Sequence, residues 1–129
     1  MKKIVIADDE PHVLRVLKLS LEKEGYAVDV CANGKEALTR LEQEHPDILI
    51  TDIQMPQMTG EELCRHINDN MPDRNFLIFV LTSRTEIEHR EWSRDITNLL
   101  FLEKPVSIRN LVEKLDGYFA GVTDSWRIT

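Results

Sequence analysis

Asp8, Asp9, Asp52, Thr82 and Lys104 share a setting: each stands at or just beyond the end of a short apolar run. Three carboxylates gathered within a few ångströms repel one another, which raises at least one pKa unless a cation intervenes. The ligand atoms on offer are all oxygens, with no suitably placed His or Cys, and that favours a hard ion. Mg2+ suits a site with few carboxylates that must also accept phosphate oxygens. An Asp carboxylate can itself attack phosphorus and become an acyl phosphate. Phosphoryl transfer then asks mainly for positioning and for donors that offset the charge of the transferred group. The Thr82 hydroxyl and the Lys104 ammonium, on its long stem, are donors of that kind.

These side chains converge only if the intervening elements place them together. Five apolar runs alternate with helix-like stretches: Ile4–Ala7, Ala27–Cys31, Ile48–Ile50, Phe76–Leu81 and Leu99–Leu102. The first, third and fourth are continuously apolar, as strands covered on both faces are, and the second alternates like an edge strand. Between them apolar residues recur at helical spacing: Leu14, Leu17 and Leu21; Ala37, Leu38 and Leu41; Leu63 and Ile67; Ile108, Leu111, Val112, Leu115 and Phe119. A helix is also expected over Glu86–Asn98, although Ile87, Trp92 and Ile96 make no clean stripe. Strict alternation implies right-handed crossovers and an α/β fold with a parallel sheet between two helical layers. With strand order 2-1-3-4-5, the first and third strands flank the point where the winding reverses, and ligands bind there at the carboxyl ends of strands.

Taken singly, each residue has an ordinary explanation. Asp8-Asp9-Glu10-Pro11 is also a good helix start, Asp52 an acid in a turn, Thr82 a β-former and Lys104 a surface lysine. The joint placement on one sheet edge is what points to a site. Length and composition bound the rest. The 129 residues fit one domain, with residues 1–120 as the folded unit and 121–129, which lack periodicity, as a tail or the start of a linker. A net charge of −7 argues against a general basic field for nucleic acid or an anionic membrane. Cys31 and Cys64 lie in apolar segments without metal-type spacing and read as buried free thiols. No apolar run approaches the roughly 20 residues that span a bilayer. The N-terminal run Ile4–Ala7 is too short for a signal sequence, so a cytoplasmic protein is expected. His12, His45, His66 and His89 have no metal spacing and read as surface residues. Trp92 reads as packed, and Trp126 as part of the tail.

The pair Asp8-Asp9, the run Asp52-Ile53-Gln54-Met55-Pro56-Gln57-Met58-Thr59-Gly60, the strand end Leu81-Thr82-Ser83 and Lys104-Pro105 together resemble the receiver domains of bacterial two-component response regulators. The resemblance runs from residue 2 to about 120, and the Asp-x-x-Met-Pro-x-Met-x-Gly run is its most specific part. It implies a flavodoxin-like, doubly wound sheet of five strands with five helices on its two faces. Asp52 would be the phosphoacceptor, loaded from a phosphohistidine on a sensor histidine kinase or phosphotransfer protein. Asp9, Asp52 and the backbone carbonyl of Gln54 would bind Mg2+, with Asp8 helping mainly through water. Thr82 would move to bond the phosphoryl group and Lys104 would pair with it. Lys104-Pro105 would be a cis peptide, which X-Pro tolerates at about 0.5–1 kcal/mol. The space left by Thr82 would let Phe101 turn inward, and the fourth helix, fifth strand and last helix would present the output face to a partner or output domain. Such a protein modifies itself at Asp52 and is not a turnover enzyme.

The sequence departs from the family pattern at three places. Asp95-Ile96-Thr97-Asn98 stands where the fourth helix often ends in small residues, and Asn98 there suits a left-handed cap. Ser83 replaces a frequent Ala after Thr82, and Gln54 and Arg84 are placed to overhang the entrance. Rival classes are a Mg2+-dependent phosphatase with an Asp nucleophile, a flavin-binding module and a receiver that only binds protein. The first would need an Asp-x-Asp after the first strand and a cap insertion, the second a Ser/Thr/Gly-rich phosphate loop, and the third would not need all five site residues.

Overall fold

The computed structural model describes residues 1–87 and 90–121, without the side chains of Arg84 and Ile87. The expectations for His89, Trp126, the Arg84 side chain and the tail from residue 122 lie outside the described residues. The strands are β1 (Lys3–Ala7), β2 (Ala27–Cys31), β3 (Ile48–Asp52), β4 (Leu77–Thr82) and β5 (Leu99–Glu103). All neighbours pair in parallel, in the order β2-β1-β3-β4-β5. The expected topology is therefore the observed one. β3 and β4 are buried along their whole length, which is why their sequences run apolar without alternation.

The helices are α1 (Pro11–Lys23), α2 (Gly34–Gln43), α3 (Gly60–Asn70), α4 (Arg84–Ile87) and α5 (Ile108–Phe119). Alternate strand residues feed two apolar layers. Ile4, Ile6, Ile48, Ile50 and Phe79 meet Leu14, Leu17 and Leu21 of α1 and Leu111 and Leu115 of α5. Val5, Leu49, Ile78 and Val80 meet Ala37 and Leu41 of α2 and Leu63, Cys64 and Ile67 of α3. Both cysteines are buried free thiols, and burial pushes Cys31 up to about 11 and Cys64 up to about 12.

Helix starts follow local chemistry. The Asn33 side chain accepts from the Glu36 N–H at 2.8 Å and caps α2. Thr59 and Glu62 form a reciprocal capping box at α3. Ser107 caps α5. α1 begins instead with Glu10 at the cap position, without a side-chain bond, and Pro11 in its first turn. Asp8 is therefore not spent as its cap.

The expected helix over Glu86–Asn98 is not what forms. α4 is one turn, Arg84–Ile87, and a 3-10 turn over Glu91–Ser93 follows. The physical reason is the missing stripe: Trp92 and Ile96 both reach the core, but their spacing from Ile87 does not place them on one face of a regular helix. The segment is held by tertiary bonds instead. The Arg74 guanidinium donates to the Phe76 carbonyl at 2.6 Å and to the Thr97 carbonyl. Asn98 adopts the left-handed conformation (φ 55°) immediately before β5, so the expected conformation is present although no long helix precedes it.

Candidate functional site

The carboxyl edge of the sheet collects the residues singled out above. Asp52 is the last residue of β3, Thr82 the last of β4, and Asp8 and Lys104 each follow a strand directly. Register explains the meeting. Asp52 pairs with Leu81, so Thr82 extends one residue beyond it, and Thr82 pairs with Glu103 just before Lys104. The Lys104 N–H donates to the Thr82 carbonyl at 2.8 Å, and the Lys104-Pro105 peptide is cis.

Asp8, Asp52 and Thr82 are nearly inaccessible (1%, 3% and 0% exposed), whereas Asp9 is exposed. The Asp8, Asp9 and Asp52 side chains each offer an oxygen, and these lie within 4.8 Å of one another. Lys104 Nζ reaches Asp52 Oδ1 at 2.6 Å, and the same oxygen accepts the Ile53 N–H at 2.9 Å. Asp8 Oδ1 accepts the Glu10 N–H at 2.9 Å. The Thr82 hydroxyl donates to the Ser83 carbonyl at 3.1 Å.

The electrostatics follow from one ammonium facing several acids. Burial pushes the Asp8 carboxyl above the usual carboxylate range, and the neighbouring Asp52 adds to the rise. Burial raises Asp52 likewise, against the pull of Lys104 and of the Ile53 N–H. For Lys104, burial opposes the charge, but bonding to Asp52 and the charges of Asp8 and Glu86 hold the ammonium above its ordinary value. The cluster carries surplus negative charge. An all-oxygen, partly buried set of this kind fits a small divalent cation.

The loop after Asp52 is built to hold that geometry. Ile53 and Met55 are buried and anchor it in the layer under α2 and α3, while Gln54 points outward and is exposed. Gln57 takes the left-handed conformation (φ 66°). Gly60 starts α3 so close to the strand that a Cβ there would collide with the Asp52 carbonyl oxygen and stand 2.9 Å from Ile53 Cα. The last position of the Asp-x-x-Met-Pro-x-Met-x-Gly run is thus glycine for lack of space.

Phe101 pairs with Val80 in β5. It is half-buried and meets Trp92 edge-to-face, with ring centroids 5.8 Å apart, so Trp92 is packed as expected. His12 and His45 are exposed and His66 half-buried. His45 also stacks edge-on against Phe76 at 5.3 Å. The sequence reading missed Glu86, whose carboxylate accepts the Ser83 N–H at 2.8 Å and is held below its usual range against burial by the donors Ser83 and Gln54. The signal was a capping-box spacing, Ser83-x-x-Glu86, hidden by an expected helix start two residues too late.

Comparison with known proteins agrees with this edge. The sequence profile of the response regulator receiver domain matches residues 4–116. The transcriptional regulatory protein PhoP of Bacillus subtilis, described as controlling alkaline phosphatase synthesis, is 31% identical over 110 residues, covering 85% of this chain and 45% of that protein. The response regulator MprA of Mycobacterium tuberculosis is 32% identical over 116 residues, covering 88% and 48%. Among solved structures, the response regulator TrrA of Thermotoga maritima in complex with Mg(2+)-BeF aligns with a TM-score of 0.78 and 32% identity, over 90% of this chain and 97% of that one. A CheY-like receiver domain protein from Methanospirillum hungatei gives 0.83 and 30%, over 95% and 96%. The chain belongs to the response regulator receiver domain family, the phosphoacceptor switches of two-component signalling. It spans about half the length of the curated relatives it matches.

Proposed function

We propose that Asp52 is the phosphoacceptor, and that residues 1–120 form the receiver unit with 121–129 as a tail or linker. A carboxylate oxygen of Asp52 attacks the phosphorus of a phosphohistidine, the N–P bond breaks, and the histidine leaves with the bonding electron pair. The observation that carries this reading is Lys104 Nζ at 2.6 Å from Asp52 Oδ1, beside two further acids. Lys104 keeps its pairing role as the phosphoryl charge arrives. Asp8, Asp9, Asp52 and the Gln54 carbonyl would hold Mg2+, which supplies charge neutralisation between the acids and the phosphoryl oxygens. Thr82 gives up its bond to the Ser83 carbonyl, only 3.1 Å away, and turns its hydroxyl to the phosphoryl group.

That turn is the switch: Thr82 withdraws from its present position, and Phe101 with Trp92 repacks beside it. The output face is α4, β5 and α5. β5 supports this role because it is an edge strand whose residues are only half-buried. On the other side, a cleft of about 530 Å3 between α1 and Lys104-Pro105 runs past Val13, Leu17 and Ile108 to Asp8. It gives a sensor histidine kinase or phosphotransfer protein a route to the acid. Val16 of α1 lines this cleft and is 49% exposed. The signal passes to a downstream protein or output domain, and the chain modifies itself rather than turning over a substrate. No helix among the described residues is long and apolar enough to cross a membrane, and the setting we propose is the cytoplasm.

Incubation with Mg2+ and acetyl phosphate, read by intact mass, tests the central step. The expected result is an adduct of about 80 Da that is lost in Asp52→Ala. No adduct on the wild type, or an unchanged one on the variant, overturns the reading.

A further inference from the structure

Thr51 is as buried as Thr82 (both 0% exposed), yet the phosphoacceptor set does not use it. It precedes Asp52 in β3, and its partners in register are Ala7 of β1 and Val80 of β4. Both partners belong to the apolar layer under α2 and α3. A valine has the same branched shape, favours strands equally and brings no hydroxyl that must be satisfied there.

The hydroxyl donates to the Asp52 carbonyl oxygen at 2.9 Å. That carbonyl is one half of the peptide unit joining Asp52 to Ile53. The other half, the Ile53 N–H, donates to Asp52 Oδ1 at 2.9 Å. A peptide unit is planar, so a bond that fixes its carbonyl also fixes the direction of its N–H. A donor on the carbonyl further polarises the unit and strengthens that N–H as a donor. The oxygen it holds is the one that Lys104 Nζ reaches at 2.6 Å. Gly60 lies against the same Asp52 carbonyl, and its own N–H bonds the next one, of Ile53, at 2.8 Å.

A buried hydroxyl needs some acceptor, and a nearby carbonyl can serve without consequence for a site. What distinguishes Thr51 is the carbonyl it holds, whose own peptide unit donates to the acceptor carboxylate. We propose that Thr51 is a positioning residue for phosphoryl transfer: through the Asp52–Ile53 peptide unit it keeps the Ile53 N–H on Asp52 Oδ1 and so fixes the rotation of the attacking carboxylate. The proposal rests on Asp52 being the acceptor.

The experiment loads wild type, Thr51→Val and Thr51→Ser with acetyl phosphate at saturating Mg2+ and follows the adduct by intact mass. The Ile53 amide resonance of each unloaded protein is read by NMR. Thr51→Val keeps the shape and removes the donor, so loading should slow roughly three- to tenfold. Its Ile53 amide proton should move upfield, as a weakened hydrogen bond requires. Thr51→Ser keeps the hydroxyl and should load within about twofold of wild type, with the Ile53 resonance near its original place. If the wild type takes no phosphoryl group on Asp52, the acceptor reading fails and this proposal with it. If the wild type loads and Thr51→Val loads as fast, the positioning role alone is overturned. It is overturned as well if Thr51→Ser is as slow as Thr51→Val, or if Thr51→Val is slow with its Ile53 resonance unmoved. Thr51→Ala lacks the same donor and decides the matter if Thr51→Val folds poorly.

Discussion

Replacing Gly60 by alanine sets two effects of opposite sign against each other. Gly60 is the first residue of α3, and in a helix alanine is favoured over glycine by about 0.5–1 kcal/mol. Against this, the new Cβ would overlap the Asp52 carbonyl oxygen and approach Ile53 Cα at 2.9 Å and the Asp52 carbonyl carbon at 3.0 Å. The obstacles are backbone atoms at the end of a fully buried strand, so they cannot rotate away as a side-chain tip would. Overpacking of that kind costs about 1–3 kcal/mol. The net expectation is a loss of about 1–2 kcal/mol. With an unfolding entropy of about 2.1 cal/mol/K per residue over 129 residues, each kcal/mol is worth about 4 °C, so Tm should fall by roughly 4–8 °C. Urea denaturation followed by circular dichroism measures the stability, and the 80-Da adduct assay measures the site. The shifted carbonyl belongs to Asp52 itself, and the Gly60 N–H bonds the Ile53 carbonyl at 2.8 Å, so loading by acetyl phosphate should slow as well. A Gly60→Ala protein as stable as the wild type, with unchanged loading, would refute the close-approach argument.

The remaining expectations concern the helical layers. The Tyr26 hydroxyl donates to Asp116 Oδ1 at 2.6 Å, tying the turn before β2 to α5, so Tyr26→Phe should lose about 1 kcal/mol in chemical denaturation. Burial, then Asp116, raises the Tyr26 phenol. Its contribution is therefore fully present below the free phenol value of about 10 and is lost as pH rises through the higher folded value. The difference in stability between wild type and Tyr26→Phe should shrink at alkaline pH, and a constant difference would contradict the linkage. Arg74→Leu leaves the Phe76 and Thr97 carbonyls without their donor. A loss of about 1–3 kcal/mol is expected, with faster hydrogen exchange across Ile96–Leu99. Unchanged exchange there would show that Arg74 does not hold the segment before β5.

Much of this molecule was legible in one dimension because its signals are local or periodic. Continuous β-branched runs marked β1, β3 and β4, a heptad-like stripe marked α5, and strand ends placed Asp8, Asp52, Thr82 and Lys104 on one edge. That edge needs only strand order and a period of two to assemble. The motif around Asp52 carried the family and, with it, the cis Lys104-Pro105 peptide. What the tertiary structure alone decided depends on contacts between residues far apart in sequence. The stretch after Thr82 has weak helical patterning, so its form is set by where Trp92 and Ile96 find core and by Arg74, which reaches Thr97 from 23 residues upstream. The need for glycine at position 60 comes from the backbone of β3 passing beneath it. The influence of Gln54 on Glu86 requires the loops after β3 and β4 to lie side by side, and spacing along the chain does not encode that approach.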